Sequence, residues 1–137
     1  MTTGTWRIVS LNLAAATAII GAGVVWRLML PGLPWFWWKY GGDVLWGAMV
    51  LMLVGACRPR HDGRAGTAVI AAAVAVAVEL FRLYHAPMLD AFRLTLAGKL
   101  LIGRVFSPWN VLAYWIGIVA ALPLLRRSSA AGPSTSN

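Results

Sequence analysis

The chain has 137 residues, of which 60% are hydrophobic and only 12% are charged. This composition is far more apolar than that of an average soluble domain and predicts an integral membrane protein, with room for four spans of about 20 residues each in one domain. The net charge of +8 comes from Lys and Arg residues that flank apolar runs, which argues against nucleic-acid binding and favours anionic lipid headgroups as their counterions.

The first apolar run predicts a transmembrane helix over residues 8–30. The run continues well past the small residues at positions 14–16 that a signal peptidase could use, so we expect the segment to be retained. Small side chains recur every four residues on one face, where they would let another helix approach closely. They are Ser10, Ala14, Ala18 and Ala22. Residues 31–34 contain two prolines and break the helix, and residues 35–40 have the composition of an interfacial aromatic belt.

The next two spans each carry one acidic residue. The second span is predicted over residues 41–57, with Asp43 in its first turn, where the helix dipole favours a negative charge. The third is predicted over residues 65–84, with Glu79 near its end and Arg82 one turn further on. Glu79 continues a stripe of residues spaced by four, so we expect it to face a neighbouring helix. The other members of this stripe are Thr67, Ala71 and Ala75.

Residues 86–106 are long enough for a further span but contain four charged residues. These are Asp90, Arg93, Lys99 and Arg104. Each such charge costs roughly 2.5–3.5 kcal/mol at a helix centre, whereas each leucine returns only about 0.5 kcal/mol. The segment is therefore predicted to be a re-entrant or interfacial helical hairpin, broken near Gly98 or Gly103.

The last span is predicted over residues 108–125. It begins at Ser107 and Pro108, a pairing typical of an N-cap followed by proline at the first helical position. Its polar-to-small stripe consists of Asn110, Tyr114, Gly117 and Ala121. The predicted fold class is thus all-α, with four transmembrane helices and one re-entrant or interfacial segment in a single membrane domain, residues 1–127. Residues 128–137 form a tail whose composition predicts disorder.

Basic residues in the short turn 58–64 and at positions 126 and 127 predict that both termini are cytoplasmic, because positive charge in short loops governs insertion. In this topology four charged residues lie near the outer ends of their helices, and their charges sum to zero. They are Arg27, Asp43, Glu79 and Arg93. We expect them to meet in one outward-facing polar pocket. The supporting residues are Tyr40, Trp46, Arg82, Arg104, Asn110 and Tyr114.

This charge cluster has two interpretations. It could be a structural network of ion pairs that holds four helices together, as buried polar groups often do in membranes. It could instead capture a polar or zwitterionic headgroup, since binding sites combine apolar walls with a few convergent polar groups. An ionisable residue inside a span is costly enough to mark a candidate site under either interpretation.

No recognisable catalytic constellation accompanies the cluster. His85 and Asp90 would supply only two metal ligands, and zinc needs more. Cys57 is the single cysteine and has no partner for a disulfide or a redox motif. We therefore expect no metal and no cofactor, and the sequence favours a protein that is not an enzyme.

Three blocks of the sequence resemble a family of small bacterial membrane proteins known as domain of unknown function 2809, which itself resembles the VanZ proteins distantly. The blocks are Tyr-Gly-Gly-Asp-Val-Leu-Trp at residues 40–46, Leu-Tyr-His-Ala-Pro-Met-Leu-Asp-Ala-Phe-Arg at residues 83–93, and Trp109-Asn110 with Tyr114 and Gly117. Two positions depart from the family pattern, with Arg82 in place of the usual Gln and Asn110 in place of the usual Asp. Both departures make the expected pocket more positive. The resemblance implies a multi-pass protein of the bacterial inner (cytoplasmic) membrane, but no activity.

The leading hypothesis for function is a non-catalytic cell-envelope protein whose outer polar pocket binds a lipid-linked group or a partner. The expected partners are membrane lipids, a lipid-linked envelope precursor or another membrane protein, and an oligomer is compatible with this hypothesis. One alternative is an enzyme that modifies an envelope lipid with Glu79 as acid or base. The other is an oligomeric small transporter.

Overall fold

The computed structural model describes residues 3–59, 63–102 and 105–126. These residues form helices and turns and contain no strand, so the predicted all-α class is confirmed for the described part of the chain. The helices are α1 (Thr3–Met29), α2 (Trp35–Cys57), α3 (Arg64–Phe81), α4 (Pro87–Leu94), α5 (Leu96–Leu101) and α6 (Pro108–Ala121), followed by a single 3-10 turn at Leu122–Leu124.

Three of these helices are long and apolar enough to cross a membrane, which is consistent with a membrane protein. They are α1 with 27 residues, α2 with 23 and α3 with 18. The apolar segment formed by α6 and the 3-10 turn is shorter. It changes to the tighter helix before Pro123, because proline has no N–H to donate within an α-helix.

Helix α2 begins at Trp35, six residues before the predicted start of the second span. The aromatic segment is therefore helical, and contacts between residues four apart support its first turns. The Phe36 and Tyr40 rings are 4.9 Å apart, and the Lys39 ammonium lies 5.2 Å from the Trp35 ring. As a result Asp43 lies two turns inside the helix, and its expected place in the first turn was wrong.

Residues 86–106 contain the two short helices α4 and α5, with a break at Thr95, three residues before Gly98. The Thr95 hydroxyl accepts a hydrogen bond from the backbone N–H of Gly98 and so caps the start of α5. Gly98 lies inside α5. Glycine is needed there because a Cβ atom would be 2.0 Å from the Phe92 carbonyl oxygen. Gly103 and Arg104 lie outside the described residues, as does the tail 128–137.

Helix α2 lies at the centre of the bundle and packs against α1, α3 and α6. The contact between α2 and α6 is close enough to bring backbones together: a Cβ on Gly47 would lie 2.2 Å from the Tyr114 carbonyl oxygen, and one on Gly117 would lie 1.9 Å from that of Val44. Both predicted stripes on α3 and α6 are buried. Glycine at positions 47 and 117 allows the backbones of α2 and α6 to come this close.

The predicted small-residue stripe of α1 was wrong, because all four of its members are exposed. The buried face instead contains Thr5, Asn12 and Ala16. The Asn12 side chain donates to the Arg126 carbonyl oxygen and accepts from the Arg126 N–H, both at 3.0 Å. This pairing places the N-terminal half of α1 beside the end of the 3-10 turn.

The bundle therefore has two distinct ends. The first, which we call the Arg126 end, joins Asn12 to Arg126 and brings Gly55 against Leu125. The second, the Arg27 end, contains the end of α1, the start of α2, the end of α3 and the start of α6. The short helices α4 and α5 connect α3 to α6 at this second end.

Candidate functional site

Glu79 is the centre of a saturated hydrogen-bond cluster at the Arg27 end. Its carboxylate is fully buried. Oε1 accepts from the Ser107 backbone N–H at 2.8 Å and from Asn110 Nδ2 at 3.0 Å. Oε2 accepts from the Tyr114 hydroxyl at 3.1 Å and pairs with the Arg82 guanidinium at 2.7 Å. A carboxylate has about four lone-pair sites, so this group has no further acceptor capacity.

Arg82 is the charge partner of Glu79 and also connects it to the segment before α6. Its Nε donates to the Ile102 carbonyl oxygen, and the guanidinium lies 5.8 Å from the Tyr114 ring. The side chain is only 8% exposed. A buried carboxylate next to a buried guanidinium of opposite charge is the arrangement that makes two desolvated ions tolerable.

Arg93 has different partners and makes no hydrogen bond or ion pair with Glu79. Its guanidinium donates to the carbonyl oxygens of Phe81 and Tyr84, both at 2.9 Å, and to Asp90 at 3.0 Å. These carbonyls follow the end of α3, where helical partners are missing. Arg93 therefore fixes α4 against the end of α3.

Arg27 and Asp43 make no hydrogen bond or ion pair with the Glu79 cluster in the described part of the chain, although Asp43 lies close enough to Arg82 and Glu79 to interact with them electrostatically. The Arg27 guanidinium is stacked 4.7 Å from the Trp38 ring, and no hydrogen bond or ion pair joins it to another described residue. Asp43 is 8% exposed, and its Oδ2 is buried without a hydrogen-bond partner in the described part of the chain. Among the described residues, no hydrogen bond or ion pair joins any two of the four charges expected to form one network, although Arg27, Arg82, Lys39 and Glu79 all lie close enough to Asp43 to interact with it electrostatically.

A cavity of about 680 Å³ lies between α1, α2, α5 and the start of α6. Its apolar wall includes Ile19, Ile20, Gly23 and Val24 of α1 and Leu45 and Met49 of α2. Its cationic residues are Arg27, Lys39, Arg82 and Lys99, and its polar floor contains Asp43, Trp46 and Asn110. The volume falls within the usual range for small-molecule sites, about 300–1,000 Å³.

Four residues that line this cavity each have a buried polar atom without a hydrogen-bond partner in the described part of the chain. Two are acceptors, Asp43 Oδ2 and Asn110 Oδ1, and two are donors, the indole Nε1 atoms of Trp38 and Trp46. Asn110 Nδ2 donates to Glu79, and the atom of its amide without a partner is the oxygen. Buried polar groups are normally hydrogen-bonded, and exceptions call for an explanation. A bound molecule with both donors and acceptors would supply one.

The remaining predicted site residues have defined places. Trp46 packs against Tyr114, with ring centroids 4.7 Å apart. Tyr40 belongs to the aromatic first turns of α2 and contacts Lys39 at 4.9 Å. Arg104 is outside the described residues. Among residues 3–59, 63–102 and 105–126, no group of three His, Cys, Asp or Glu side chains could hold a metal.

Sequence reasoning missed several members of this site. The backbone N–H of Ser107 contacts Glu79, which no side-chain pattern could reveal. Lys39 and Lys99 line the cavity, although in sequence Lys39 belongs to the aromatic belt and Lys99 to the charged segment 86–106. The spacing of three residues between Glu79 and Arg82 was a usable signal, because residues three apart on a helix are neighbours.

The fold and site define a helical bundle with a saturated buried ion pair and an adjoining cavity with unpaired polar atoms. The family model described as "Protein of unknown function (DUF2809)" matches residues 32–118, so the chain belongs to this family. The match includes α2 through most of α6 but not Arg27 on α1. The distant relation to VanZ proteins stays a prediction. No solved structure matches the chain.

Proposed function

We propose that this protein is a four-span protein of the bacterial cytoplasmic membrane that binds a polar-headed lipid or lipid-linked molecule in the cavity at its Arg27 end, without catalysis. The apolar segment of residues 108–124 is the fourth span. The short helices α4 and α5 stay at the membrane surface or re-enter it. The Arg27 end faces outward in this topology.

One contrast supports binding at the cavity: Glu79 and Asp43, the acidic residues of α3 and α2, differ in their hydrogen-bond partners. Glu79 accepts from four donors and is a structural hub. Asp43 is almost equally buried, yet it has no hydrogen bond or ion pair to a described residue. An unpaired ion inside a membrane is expensive. Asp43 is therefore the better candidate for contact with a ligand.

The composition of the cavity walls favours an amphiphile. Ile19, Ile20 and Val24 present hydrocarbon from α1, while the cations and unpaired polar atoms lie at the end of α1, just after α3, and on α2, α5 and α6. A soluble metabolite would leave the apolar wall unused, and a simple hydrocarbon would leave the polar atoms unpaired. A lipid headgroup with part of its chain matches both surfaces.

Catalysis by Glu79 has little support in this geometry. A general acid or base must reach the proton that it transfers, at about 2.6–3.2 Å. Every acceptor position of Glu79 is already taken by Ser107, Asn110, Tyr114 or Arg82. Using it as a base would require the start of α6 to move away.

A pair of glycine substitutions on α1 tests the proposal. Gly23 lines the cavity, Gly21 does not, and a Cβ atom on either would meet nothing within 4 Å. Gly23→Phe should fill the cavity, while Gly21→Phe adds the same bulk to the exposed side of the helix. The measurement is native mass spectrometry of each purified protein, with the lipids that remain bound identified after release.

Wild type and Gly21→Phe should both carry a retained lipid, and Gly23→Phe should have lost most of it. Equal lipid occupancy in the two variants would contradict a site in this cavity. Protein that elutes as a single species in detergent confirms that each variant is folded before its lipids are compared.

A further inference from the structure

We infer that the cavity recognises a zwitterionic phospholipid headgroup with a primary ammonium, in which the ammonium contacts Asp43 and the phosphate contacts the cations around it. This inference rests on the proposed function and names the chemistry of its ligand. The cavity residues include acceptors that lack a donor, and donors and cations that lack an acceptor or anion.

The cationic part of the cavity needs an anion. Neither the Arg27 guanidinium nor the Lys99 ammonium has a hydrogen bond or ion pair to a described residue, and both residues line the same space as Lys39. The indole N–H groups of Trp38 and Trp46 are unpaired donors. A phosphodiester, with one negative charge and two strong acceptor oxygens, suits this set of donors and cations.

The acidic part of the cavity needs a donor with positive charge. Asp43 Oδ2 and Asn110 Oδ1 are unpaired acceptors buried beside the same cavity. Arg82, Arg27 and Lys39 lie close enough to interact electrostatically with Asp43, but none of them donates a hydrogen bond to its Oδ2. A purely anionic lipid would satisfy the cations and leave Asp43 Oδ2 and Asn110 Oδ1 without a donor.

The two halves of the site are separated by a short distance that a small headgroup can span. Lys39 and Asp43 are four residues apart on α2, which is one helical turn, or about 6 Å along the axis. Asp43 lies on the inner side of Lys39, further from the start of the helix. Phosphate near Lys39 and ammonium near Asp43 would place the terminal group of the lipid deepest in the site.

The aromatic residues argue against a quaternary ammonium such as choline. Such a group has no N–H and is held by open aromatic faces. Here one face of Trp38 is covered by Arg27 at 4.7 Å, and Trp46 packs against Tyr114 at 4.7 Å. The third cavity-lining aromatic ring, Trp35, already has the Lys39 ammonium 5.2 Å from its centroid. The unpaired oxygens of Asp43 and Asn110 instead favour a headgroup that retains its N–H donors.

The test is lipid competition on the delipidated full-length protein. Phosphatidylethanolamine, its mono-, di- and trimethylated forms and phosphatidylglycerol, all with the same acyl chains and distinct isotope labels, are added in equal amounts. Bound species are counted by native mass spectrometry. We expect phosphatidylethanolamine to exceed both the trimethylated lipid and phosphatidylglycerol by about tenfold, which corresponds to ~1.4 kcal/mol. Binding should fall with each added methyl group.

Two substitutions with matched controls locate the preference. Asp43→Asn should abolish the preference for the ammonium, whereas Asp90→Asn, which changes an acid outside this cavity, should preserve it. Arg27→Gln should weaken all the phosphate lipids together, and Arg7→Gln on the same helix should not. If Asp43→Asn does not fold, the methylation series on wild type still decides the question.

The results that would contradict the ammonium assignment differ from those that would contradict lipid binding in the cavity. Equal binding of all the lipids, or a preference for phosphatidylglycerol, would overturn the ammonium assignment while leaving the cavity a lipid site. Lipid occupancy that Gly23→Phe leaves unchanged would overturn the proposed function itself.

Discussion

At the scale of single residues, the partners of a buried charge decide what that charge can do. Glu79 is surrounded by donors from α3 and from α6 and its preceding segment, so it holds these two helices in register. Asp43 is held by the same bundle without any such partner in the described chain. Sequence spacing identified both residues but could not distinguish them, because their partners come from distant segments.

Substitution of Glu79 should reveal its structural role. Glu79→Ala leaves Arg82 as an uncompensated buried cation and should cost about 3–5 kcal/mol of the free energy of unfolding. Glu79→Gln keeps the shape and some of the hydrogen bonds, so it should cost less. The measurement is unfolding by sodium dodecyl sulfate titration in mixed micelles.

A second substitution at Arg82 is the control for this prediction. Because Arg82 is the ion-pair partner, Arg82→Gln should partly rescue Glu79→Gln, whereas Arg93→Gln should not, since Arg93 contacts backbone carbonyls and Asp90. If Glu79→Ala were as stable as wild type, the cluster would not be holding the helices together.

At the scale of helices, periodicity predicted which faces of α3 and α6 are buried but failed for α1. Thr67, Ala71, Ala75 and Glu79 repeat at helical spacing and are all buried. In α1 the exposed alanines repeat equally well, and the face that packs is set by Asn12, whose partner is the backbone of Arg126. A contact between residues 114 positions apart leaves no local trace in the sequence.

The glycines between α2 and α6 give a prediction at this scale. Gly117→Ala would place a methyl group 1.9 Å from the Val44 carbonyl oxygen, so the two helices must separate. Overpacking of this kind costs roughly 1–3 kcal/mol. Gly21→Ala is the matched control, because a Cβ atom there meets nothing within 4 Å. The same unfolding titration should show a loss for Gly117→Ala and none for Gly21→Ala, and equal stability of the two variants would contradict close backbone packing.

At the scale of the whole molecule, composition was sufficient to predict helices that can cross a membrane, and motif resemblance was sufficient to predict the family. Neither composition nor motif resemblance could predict how the charges are arranged around the cavity. It depends on the helical start of α2 at Trp35, which moves Asp43 inward, and on the break at Thr95, which sets where Lys99 lies. Each of these depends on local capping and side-chain contacts that hydropathy does not describe.

The arrangement of the two ends leads to a prediction about topology. Because Asn12 pairs with the backbone of Arg126, the N-terminal half of α1 and the end of the last apolar segment lie at the same end of the bundle. An even number of crossings satisfies this requirement, with residues 86–106 remaining on one side. Reporter fusions after residues 60 and 127 should therefore report the cytoplasm, and fusions near Lys39 and Lys99 should report the outside. An external signal after residue 127 would mean that residues 86–106 cross the bilayer, and Asn12 could then not reach Arg126, so that result would contradict both the topology and the packing of α1.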